Sequence, residues 1–520
     1  GCAREHPGWR VGAHRAMSVA GGQWGASVVE RARTLHRLGA ANVLRVGAYR
    51  LASRTGAWRL LTPVGEGWSE PILGTHPSAN PAPPICDEAR GLLLGEADGI
   101  CSGLLRFYSG EPVVVGDPPR WHVSPYDASY RVEAAVHWSR ARSGGDIKDI
   151  WEASRFSWAP VLARAWRVSG DARYLETLER WVRDWTSSNP LNAGANWACG
   201  QETSIRLLHV LIAIEIARVV EPTAGVRRFV REHLKRIAAT TAYAIGQDNN
   251  HGTSEGVGLY VGGLWLVSNG DAEGEQYRSC GRAMLEERVG RLVMADGSFS
   301  QYSVNYHRLL LDTLCIAEWW RATSADGTFS EAFYDRARAA ALWLYEMVDP
   351  ASGDAPNIGA NDGARLLGLT SVAYRDFRPT VQLASALFLE RRAYDDESVD
   401  EPLLWLGVQP GSDVMLGRAS TLFEDGGWVT MHASDERSWA CIKYPAYRFR
   451  PSHADALHVD LWRDGVNVLR DGGTYGYAAE EPWATHFPGT ASHNTMQFDG
   501  RDQMPRIGRF LFGGWLEGET

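Results

Sequence analysis

The 520-residue sequence lacks the patterns that mark several large protein classes. No apolar run is long enough to cross a bilayer, so we expect no membrane insertion. The seven cysteines are scattered, odd in number and without a CxxC pair, which argues against a disulfide framework and a cysteine zinc site. A formal net charge of −9 offers no basic field, so no nucleic-acid partner is expected. The first residues, GCAREHPGWRVG, contain no signal-peptide core.

Three common catalytic and cofactor motifs are also missing. The sequence has no P-loop, no GxGxxG fingerprint and no nucleophile elbow, and we expect no organic cofactor. What the chain does have is aromatic side chains, including 22 tryptophans. Aromatic residues suit sugar-stacking clefts, but for any single tryptophan a place in a large core is the favoured interpretation.

The first two thirds of the sequence read mainly as helices. SVVERARTLHRLGAANVLRVGAYRLASR predicts one or two helices, and the proline-rich PSANPAPPICDEARG predicts a loop or linker. From about residue 125, amphipathic segments form consecutive hairpins, the first broken at Ser169-Gly170-Asp171. QETSIRLLHVLIAIEIARVV is apolar on nearly every side, which is typical of an inner helix. This pattern favours an α/α toroid or, failing that, a helical solenoid. Further helices are predicted at about 277–294, 304–323, 330–348 and 380–392.

After about residue 410 the sequence changes to short alternating runs, which predict antiparallel strands. These runs are GWVTMHAS, SWACIKYP, LHVDLWRDGVNVLRDGGTYGY and HNTMQFDG, with Asp464-Gly465 in a hairpin turn. Around 110 residues is short for a complete β-sandwich. The expected division is a helical and linker region over 1–120, a helical catalytic domain over 121–405 and a sandwich domain over 406–520.

Four clusters of polar residues lie at the junctions between predicted elements. Taken alone, each is also explained by helix capping or by turn contacts. Together they offer amides, imidazoles, phenols and a His/Asp/His set. The clusters are NAGANWACGQETSIR with Asn196, Trp197, Gln201, Glu202 and Arg206; DNNHGTSEG at 248–256; DGSFSQYSVNYHRLL with Tyr302, Tyr306, His307 and Arg308; and the β-region segments with Arg448, Arg450, His453, Asp455, His458, Asp471 and His493.

One reaction uses an amide, an imidazole and a phenol together, namely β-elimination from a uronic acid. The C5 proton is hard to remove because the neighbouring carboxylate resists further negative charge. Amide and imidazole donors facing that carboxylate would stabilise the enolate-like intermediate, as an oxyanion hole does. A tyrosine can take the C5 proton if a neighbouring His or Arg favours its phenolate, and it can also protonate the departing O4.

These motifs resemble a known family. DNNH, followed 56 residues after Asn250 by Tyr306 in SVNYHRL, and then SHADALHVDLW…DGGTY…HNT, are similar to the heparinase II/III-type polysaccharide lyases. The resemblance runs from about Trp121 to the C-terminus, and its β-region motif is the most specific part. It implies an α+β multidomain fold, with an incomplete (α/α) toroid of helical hairpins, an antiparallel β-sandwich domain that is here incomplete, and an active site between them. It also implies that Asn250 and His251 neutralise the substrate carboxylate and that Tyr306 is the acid and base.

The resemblance further implies a structural zinc ion in the β region, held by His453, Asp471 and His493. Two neutral imidazoles with one carboxylate are chemically reasonable for Zn²⁺. The alternative is that both histidines bond to turn backbone and that Asp471 belongs only to its Asp-Gly-Gly turn. A bacterial, periplasmic or secreted protein is also implied.

One position departs from the family pattern. Many relatives carry His-x-His in the β region, with the first His reaching into the active site, but here that position is Pro451 in RPSHAD. Tyr306 then works with His251 alone, or another residue supplies the missing polarity. The candidates are Arg448, Arg450 and His458.

The resulting hypothesis is a lyase that cleaves an acidic, uronic-acid-containing polysaccharide and leaves 4,5-unsaturated ends. The expected substrates are glycosaminoglycan-like (hyaluronan, chondroitin, heparosan), with gellan and alginate as further candidates. An acidic chain acting on an acidic polymer needs a locally basic cleft, which arginines in the motifs would supply. The expected substrate-binding residues are Asn196, Trp197, Gln201, Glu202, Arg206, Tyr302, His307, Arg308, Arg448, Arg450 and His458.

Within DNNHGTSEG, the small residues Gly252, Thr253, Ser254 and Gly256 are expected to let a sugar chain approach. Asp248 and Glu255 would orient His251 or arginine side chains, because carboxylates repel an acidic substrate.

Two other functions stay open at this point. The first is an inverting glycoside hydrolase on an α/α toroid, with Asp248, Glu202 and Asp296 as candidate carboxylates. The second is a non-catalytic protein that binds acidic polysaccharides.

Overall fold

The structure is a computed structural model that describes residues 28–74, 82–141, 144–219, 221–415, 417–435 and 437–518. The N-terminal residues examined for a signal peptide lie outside this part. The described chain begins with α1 (Val28–Leu38), α2 (Ala40–Thr55), α3 (Ala57–Leu61), α4 (Asp87–Cys101), β1 (Leu104–Arg106) and β2 (Pro112–Val114). The predicted N-terminal helices are therefore confirmed. The predicted linker is irregular over 82–86, but its DEARG end is helical because the side chain of Cys86 caps α4.

The helical body follows as a series of hairpins. Ser169-Gly170-Asp171 separates two of its helices as predicted, with Gly170 in the left-handed conformation (φ 72°). Among the described residues, no helix is long and apolar enough to cross a membrane. The helices are α5 (Lys148–Ser154), α6 (Trp158–Ser169), α7 (Arg173–Ser188), α8 (Gly200–Ala217), α9 (Ala224–Gly246), α10 (Asn250–Ser268), α11 (Gly274–Leu292), α12 (Val304–Thr323), α13 (Glu331–Met347), α14 (Arg378–Phe388) and α15 (Glu401–Leu406).

Three of these helices, α8, α10 and α12, form the inner layer. Nearly every residue of each is buried, as the apolar sequence of α8 predicts. Helix α10 packs against α8, α9, α11 and α12, so the inner layer is continuous. The core interpretation of tryptophan is confirmed for the fully buried examples, which are Trp158, Trp181, Trp185, Trp197, Trp343, Trp428 and Trp462.

The C-terminal region is built on one five-stranded antiparallel sheet. Asp464 and Gly465 form the predicted hairpin turn, both with positive φ (51° and 76°). HNTMQFDG and the DGGTYGY end of the third run contain no strand, so those two strand predictions are wrong. The elements are β3 (Thr421–Phe423), β4 (Trp428–His432), β5 (Ser438–Lys443), β6 (His458–Arg463) and β7 (Val466–Leu469) in that order across the sheet, then α16 (Trp483–His486), β8 (Arg506–Gly508) and β9 (Leu511–Phe512).

The sheet docks on the helical body through buried contacts. Trp343 of α13 meets Trp428 of β4 edge-on, with ring centroids 5.4 Å apart. Near the start of α12, the Tyr302 hydroxyl accepts backbone N–H groups of Arg448 and Phe449 at 2.6 and 3.1 Å. A helical body followed by an antiparallel sheet confirms the predicted fold class.

Candidate active site

A cavity of about 410 Å³ lies where the starts of the three inner helices meet the sheet region. Helix α2 contributes Tyr49 to its wall, and the sheet region contributes Arg450, Ser452, Tyr477 and Phe510. Several predicted site residues line it together, although they are far apart in sequence. They are Gln201, Glu202, Asn250, His251, Tyr306 and Arg450.

The DNNH segment places two polar side chains at one helix terminus. The Asn249 side chain caps α10 by accepting the N–H of His251 at 3.1 Å, so Asn250 and His251 are the first two helical residues. The N–H of Asn250 donates to Oε1 of Gln301 at 2.8 Å. Because a helix N-terminus carries partial positive charge, this wall of the cavity favours an anion.

The imidazole of His251 lies between an acidic group and a thiol. Its Nδ1 is 3.7 Å from Oε1 of Glu255 and 4.0 Å from Sγ of Cys199. Burial lowers the pKa of His251, but Cys199 and Glu255 outweigh that effect and raise the pKa to about 10. The ring is therefore a cation at neutral pH.

Tyr306 occupies the first turn of α12, which the Ser303 side chain caps. Its hydroxyl is 2.8 Å from the hydroxyl of Tyr477. Burial and the nearby Asp362 carboxylate hold the pKa of Tyr306 well above its usual value, and Arg155 opposes this only in part. Arg155 alone therefore does not meet the condition that a neighbouring His or Arg favours the phenolate.

Three residues of this site have no place in the sequence hypothesis. Lys148 lies 3.8 Å from the ring centroid of Tyr477 and forms an ion pair with Asp362. Tyr477 lies in DGGTYGY, the segment that contains Asp471 and carries part of the family resemblance. The sequence therefore did contain a signal for this tyrosine. Lys148 and Asp362 carry no local signal, because only the tertiary fold joins them.

The cations of the cavity are mostly neutralised. Arg155 contacts both carboxylate oxygens of Glu202 at 2.6 and 2.8 Å and also pairs with Glu152. Arg450 donates to the backbone carbonyl of Gln247 at 3.3 Å, and no acidic side chain of the described chain lies within ion-pair distance of it. Arg448 is 59% exposed, pairs with Asp425 and does not line the cavity.

Arg206 and its neighbours in the first cluster serve the interior instead of the cavity. The guanidinium of Arg206 stacks on Trp185 at 4.2 Å and donates to Nε2 of His233 at 2.9 Å. Asn196 and Trp197 are fully buried and bond to backbone carbonyls of Trp121 and Asn189. We assign these expected substrate-binding residues a structural role, because they offer no surface to a ligand.

The same correction applies to four residues of the other clusters. His307 stacks on Trp343, with ring centroids 4.3 Å apart. Arg308 stacks on Phe377, and the Tyr302 hydroxyl accepts the backbone N–H of Arg448 in the sheet region. His458 is fully buried and its Nδ1 accepts the N–H of Asn494 at 3.1 Å.

The small residues after DNNH pack helices and do not meet a sugar chain. Gly252, Thr253, Ser254 and Gly256 are all buried within α10. A Cβ on Gly252 would lie 2.7 Å from the side chain of Arg288, and one on Gly256 would lie 3.2 Å from the backbone N of Leu285. The small side chains therefore allow α11 to lie close to α10.

The three carboxylates considered for a hydrolase are all engaged. Asp248 accepts bonds from Asn42, Arg288 and Arg291 at 2.6 to 2.9 Å. Glu202 is held by Arg155, and Asp296 accepts the backbone N–H groups of Ser298 and Gly426 at 2.9 Å. This pattern favours the interpretation that Asp248 orients arginine side chains.

A separate cluster in the sheet region has the composition of a metal site. His453, Asp471 and His493 are buried, and each offers one ligand atom within 4.8 Å of the others. Nδ1 of His453 and Nε2 of His493 have no hydrogen-bond partner in the described chain, which leaves nitrogen lone pairs for an ion. Oδ1 of Asp471 also accepts the N–H of Gly473 at 2.6 Å, so the residue belongs to its turn as well. The three side chains fit a metal ion.

Two family models match the chain, one over the helical body and one over the sheet region. The heparinase II/III N-terminus model matches residues 120–367, and the heparinase II/III-like C-terminal model matches residues 415–520. A heparin-sulfate lyase of Bacteroides thetaiotaomicron is 23% identical over 192 residues, which are 36% of this chain and 25% of that relative. The chain therefore matches only a quarter of that relative's length.

Solved structures show the same architecture. The crystal structure of a heparinase III matches with a TM-score of 0.57 at 15% identity, covering 89% of this chain and 70% of that one. A second heparinase III gene product matches with a TM-score of 0.50 at 18% identity, covering 92% and 70%. At these identities the likeness establishes the fold alone.

Proposed function

The chain belongs to the heparinase II/III family, and from this membership we propose that it is a lyase that cleaves uronic-acid-containing polysaccharides by β-elimination. The products would carry 4,5-unsaturated uronate ends. The observation that carries the proposal is one cavity wall holding Asn250 and the His251 cation, with the Tyr306 phenol in the same cavity.

The first task is to hold the uronate carboxylate. The His251 imidazolium, the amide of Asn250 and the N-terminus of α10 all favour negative charge at one place. Arg450 adds a guanidinium without an acidic partner in the described chain, from the segment in which Pro451 replaces the family's histidine. We therefore assign the missing polarity to Arg450, since Arg448 and His458 do not line the cavity. Donors placed in this way stabilise the charge that develops after loss of the C5 proton.

The second task is proton transfer without a free phenolate. Because burial and Asp362 keep Tyr306 protonated, its oxygen accepts the C5 proton only as its own proton leaves. Tyr477, 2.8 Å away, is positioned to take that proton while giving its own to the departing O4. The C5 proton is then balanced by the proton delivered to O4, and both tyrosines end neutral.

The substrate class follows from the charges and from the relatives. We propose a glycosaminoglycan-like substrate, and the relative named a heparin-sulfate lyase makes heparosan and heparan-type chains the first candidates. Hyaluronan and chondroitin also contain a uronate, and we propose them as the next candidates. An acidic polysaccharide also fits a periplasmic or secreted protein of bacterial origin, the location that we propose.

Ultraviolet absorbance of the new C4=C5 double bond tests the function directly. Purified enzyme would be mixed with heparosan, heparan sulfate, hyaluronan, chondroitin, gellan and alginate, and oligosaccharide products would be weighed by mass spectrometry. Absorbance with products lighter by one water than hydrolysis products supports the lyase. Cleavage without absorbance indicates a hydrolase, and binding without cleavage indicates a polysaccharide-binding protein.

For the sheet region we propose that His453, Asp471 and His493 hold a structural Zn²⁺ ion. The ion would join the segment before β6 to the segments that follow β7 and α16, and we assign it no part in the elimination. Metal analysis of the purified protein should find one zinc per chain. A protein that retains no metal, or a His493→Ala variant that binds as much zinc as the wild type, would refute the assignment.

A further inference from the structure

One thiol of the chain lies inside the same cavity. Cys199 is partly exposed and lines the wall between α8 and α10. The other described cysteines lie elsewhere: Cys86 and Cys280 are exposed, Cys101 is partly exposed, and Cys315 and Cys441 are buried. Cys199 is thus the described thiol that a small molecule entering the cavity would meet.

The thiol has a charged partner. Its Sγ is 4.0 Å from Nδ1 of His251, within hydrogen-bond reach for sulfur. The imidazolium is held by Glu255, which is only 2% exposed and whose Oε2 has no hydrogen-bond partner in the described chain. Glu255 lines the same cavity, so an ionic centre faces the space beside the thiol.

The backbone around Cys199 adds positive potential. Cys199 is the N-cap residue of α8, which has 18 residues, and its side chain makes no capping hydrogen bond. The buried guanidinium of Arg236 lies next to it and donates to the carbonyl of Ala198 at 3.1 Å. A helix N-terminus and a neighbouring imidazolium are the surroundings in which reactive cysteines are found.

We propose that Cys199 is a site of reversible mixed-disulfide formation that closes the cavity to substrate. The sulfur of Cys199, as thiolate, attacks one sulfur of a small disulfide. A bond forms between Cys199 and that half, the disulfide's own S–S bond breaks, and the other half leaves as a thiolate. The disulfide is the oxidant, and an added thiol reverses the step. The attached group would stand beside His251 and Asn250, where the uronate carboxylate is to bind.

The chain contains a matched comparison. Cys86 is also a helix N-cap, at the start of α4, and it is more exposed than Cys199. Its Sγ accepts the N–H of Ala89 at 3.5 Å, and no imidazole contact is found for it in the described chain. Cys280 is exposed in the interior of α11 and has neither feature. Comparing the reactivity of these three cysteines separates the effect of His251 from the effect of exposure and from the effect of a helix N-terminus.

The test treats the full-length enzyme with oxidised glutathione and follows each cysteine by peptide mass mapping. We expect Cys199 to form its mixed disulfide at least about tenfold faster than Cys86 or Cys280. Cys199→Ser should remove the fast phase and Cys86→Ser should retain it. His251→Gln should slow labelling of Cys199 about tenfold, a change that a structural role for the thiol would not produce.

Loss of lyase activity in proportion to Cys199 occupancy, with recovery in dithiothreitol, is the expected second result. Each variant is compared with its own untreated activity. Labelling of Cys199 no faster than Cys280 would overturn the reactive-thiol assignment, and full labelling with unchanged activity would overturn the closure of the cavity. The activity result rests on the proposed lyase function, whereas the labelling result does not. A chain that is labelled at Cys199 but cleaves no polysaccharide therefore refutes the function alone.

Discussion

Two groups of buried polar residues occupy the helical body, and they differ in what they face. In the interior, the Arg206 guanidinium donates a hydrogen bond to the imidazole of His233 and stacks on the indole rings of Trp185 and Trp197. Around His251 and Tyr306, the charged and phenolic groups border the cavity, and a buried oxygen of Glu255 has no partner in the described chain. Both groups are polar and mostly buried, so neither property identifies a functional site. The distinguishing property is unsatisfied polarity that borders a cavity.

The largest effect that tests this contrast is expected from Tyr306→Phe. Loss of the phenol should reduce kcat by about 10³, because proton transfer loses its acid and base. Stability should fall by only about 1–2 kcal/mol, since the variant removes one hydrogen bond and leaves the Tyr477 hydroxyl without that partner. The measurement is steady-state kinetics by ultraviolet absorbance, alongside thermal unfolding.

Tyr260→Phe is the matched control for that variant. Tyr260 is a buried tyrosine of α10 that donates to Asp326 at 2.8 Å and does not line the cavity. Its kcat should stay within about twofold of the wild type, as expected for a group that makes no contact with the reacting atoms. A Tyr306→Phe enzyme with more than a tenth of normal kcat would mean that Tyr306 is not the proton carrier.

The next effect concerns the interior group. Arg206→Met should lower the free energy of unfolding by about 3–5 kcal/mol, because His233 and the carbonyls of Ser154 and Asn196 lose their donor. Urea unfolding provides the measurement. KM of the folded fraction should not change, since the guanidinium is fully buried.

The exposed Arg448→Met is the control, with an expected change within about 0.5 kcal/mol. An Arg206→Met protein that is stable but has a strongly raised KM would restore the substrate-binding role expected from the sequence.

Metal removal extends the comparison to a third buried polar group. If His453, Asp471 and His493 hold Zn²⁺, chelation should lower stability by about 3 kcal/mol through loss of a bound ligand. At a temperature where the metal-free protein stays folded, kcat should remain within about twofold of the zinc-loaded value, because no step of the elimination uses the ion. Differential scanning calorimetry and kinetics with and without restored zinc measure both quantities. A large loss of kcat in folded, metal-free protein would contradict a purely structural role.

The last comparison is a pH dependence of stability. The pKa of His251 is raised to about 10 in the folded protein, above the unfolded value of about 6.5. Its contribution to stability is therefore complete below about pH 6.5 and is lost as the pH rises through about 10. The stability difference between wild type and His251→Gln should shrink over this range in urea titrations. Asn250→Ala, which removes no titrating group, should give a constant difference, and a constant difference for His251→Gln as well would show that Cys199 and Glu255 do not hold the imidazolium.

The sequence predicted the helices of the body well because their amphipathic periods and Gly or Pro ends are local signals. DNNH and Tyr306 were also identifiable, since a polar helix start with an unusual composition can be read locally. The direction in which a polar residue of an inner helix points could not be predicted. Helix α8 is buried on nearly every side, so its sequence has no polar face that would show whether Arg206 points into the cavity or into the core.

The remaining part of the site depends on contacts distant in sequence. Tyr477 lies in an irregular segment, where no period indicates which way a side chain points. The pairing of Lys148 with Asp362 joins residues 214 positions apart. No local pattern encodes such a pair, and only the closed fold places it beside Tyr306.

The bond from Tyr302 to the backbone of Arg448 and Phe449 has a mechanical consequence. Tyr302 lies four residues before Tyr306, and Arg448 lies two before Arg450. The bond therefore holds the helical wall and the sheet-region wall of the cavity together close to both side chains. The same two regions are also joined by the ring contact of Trp343 with Trp428 and by the bond from the Gly426 N–H to Asp296. The distance between Tyr306 and Arg450 is therefore set by how the helical body docks on the sheet region, and not by either region alone.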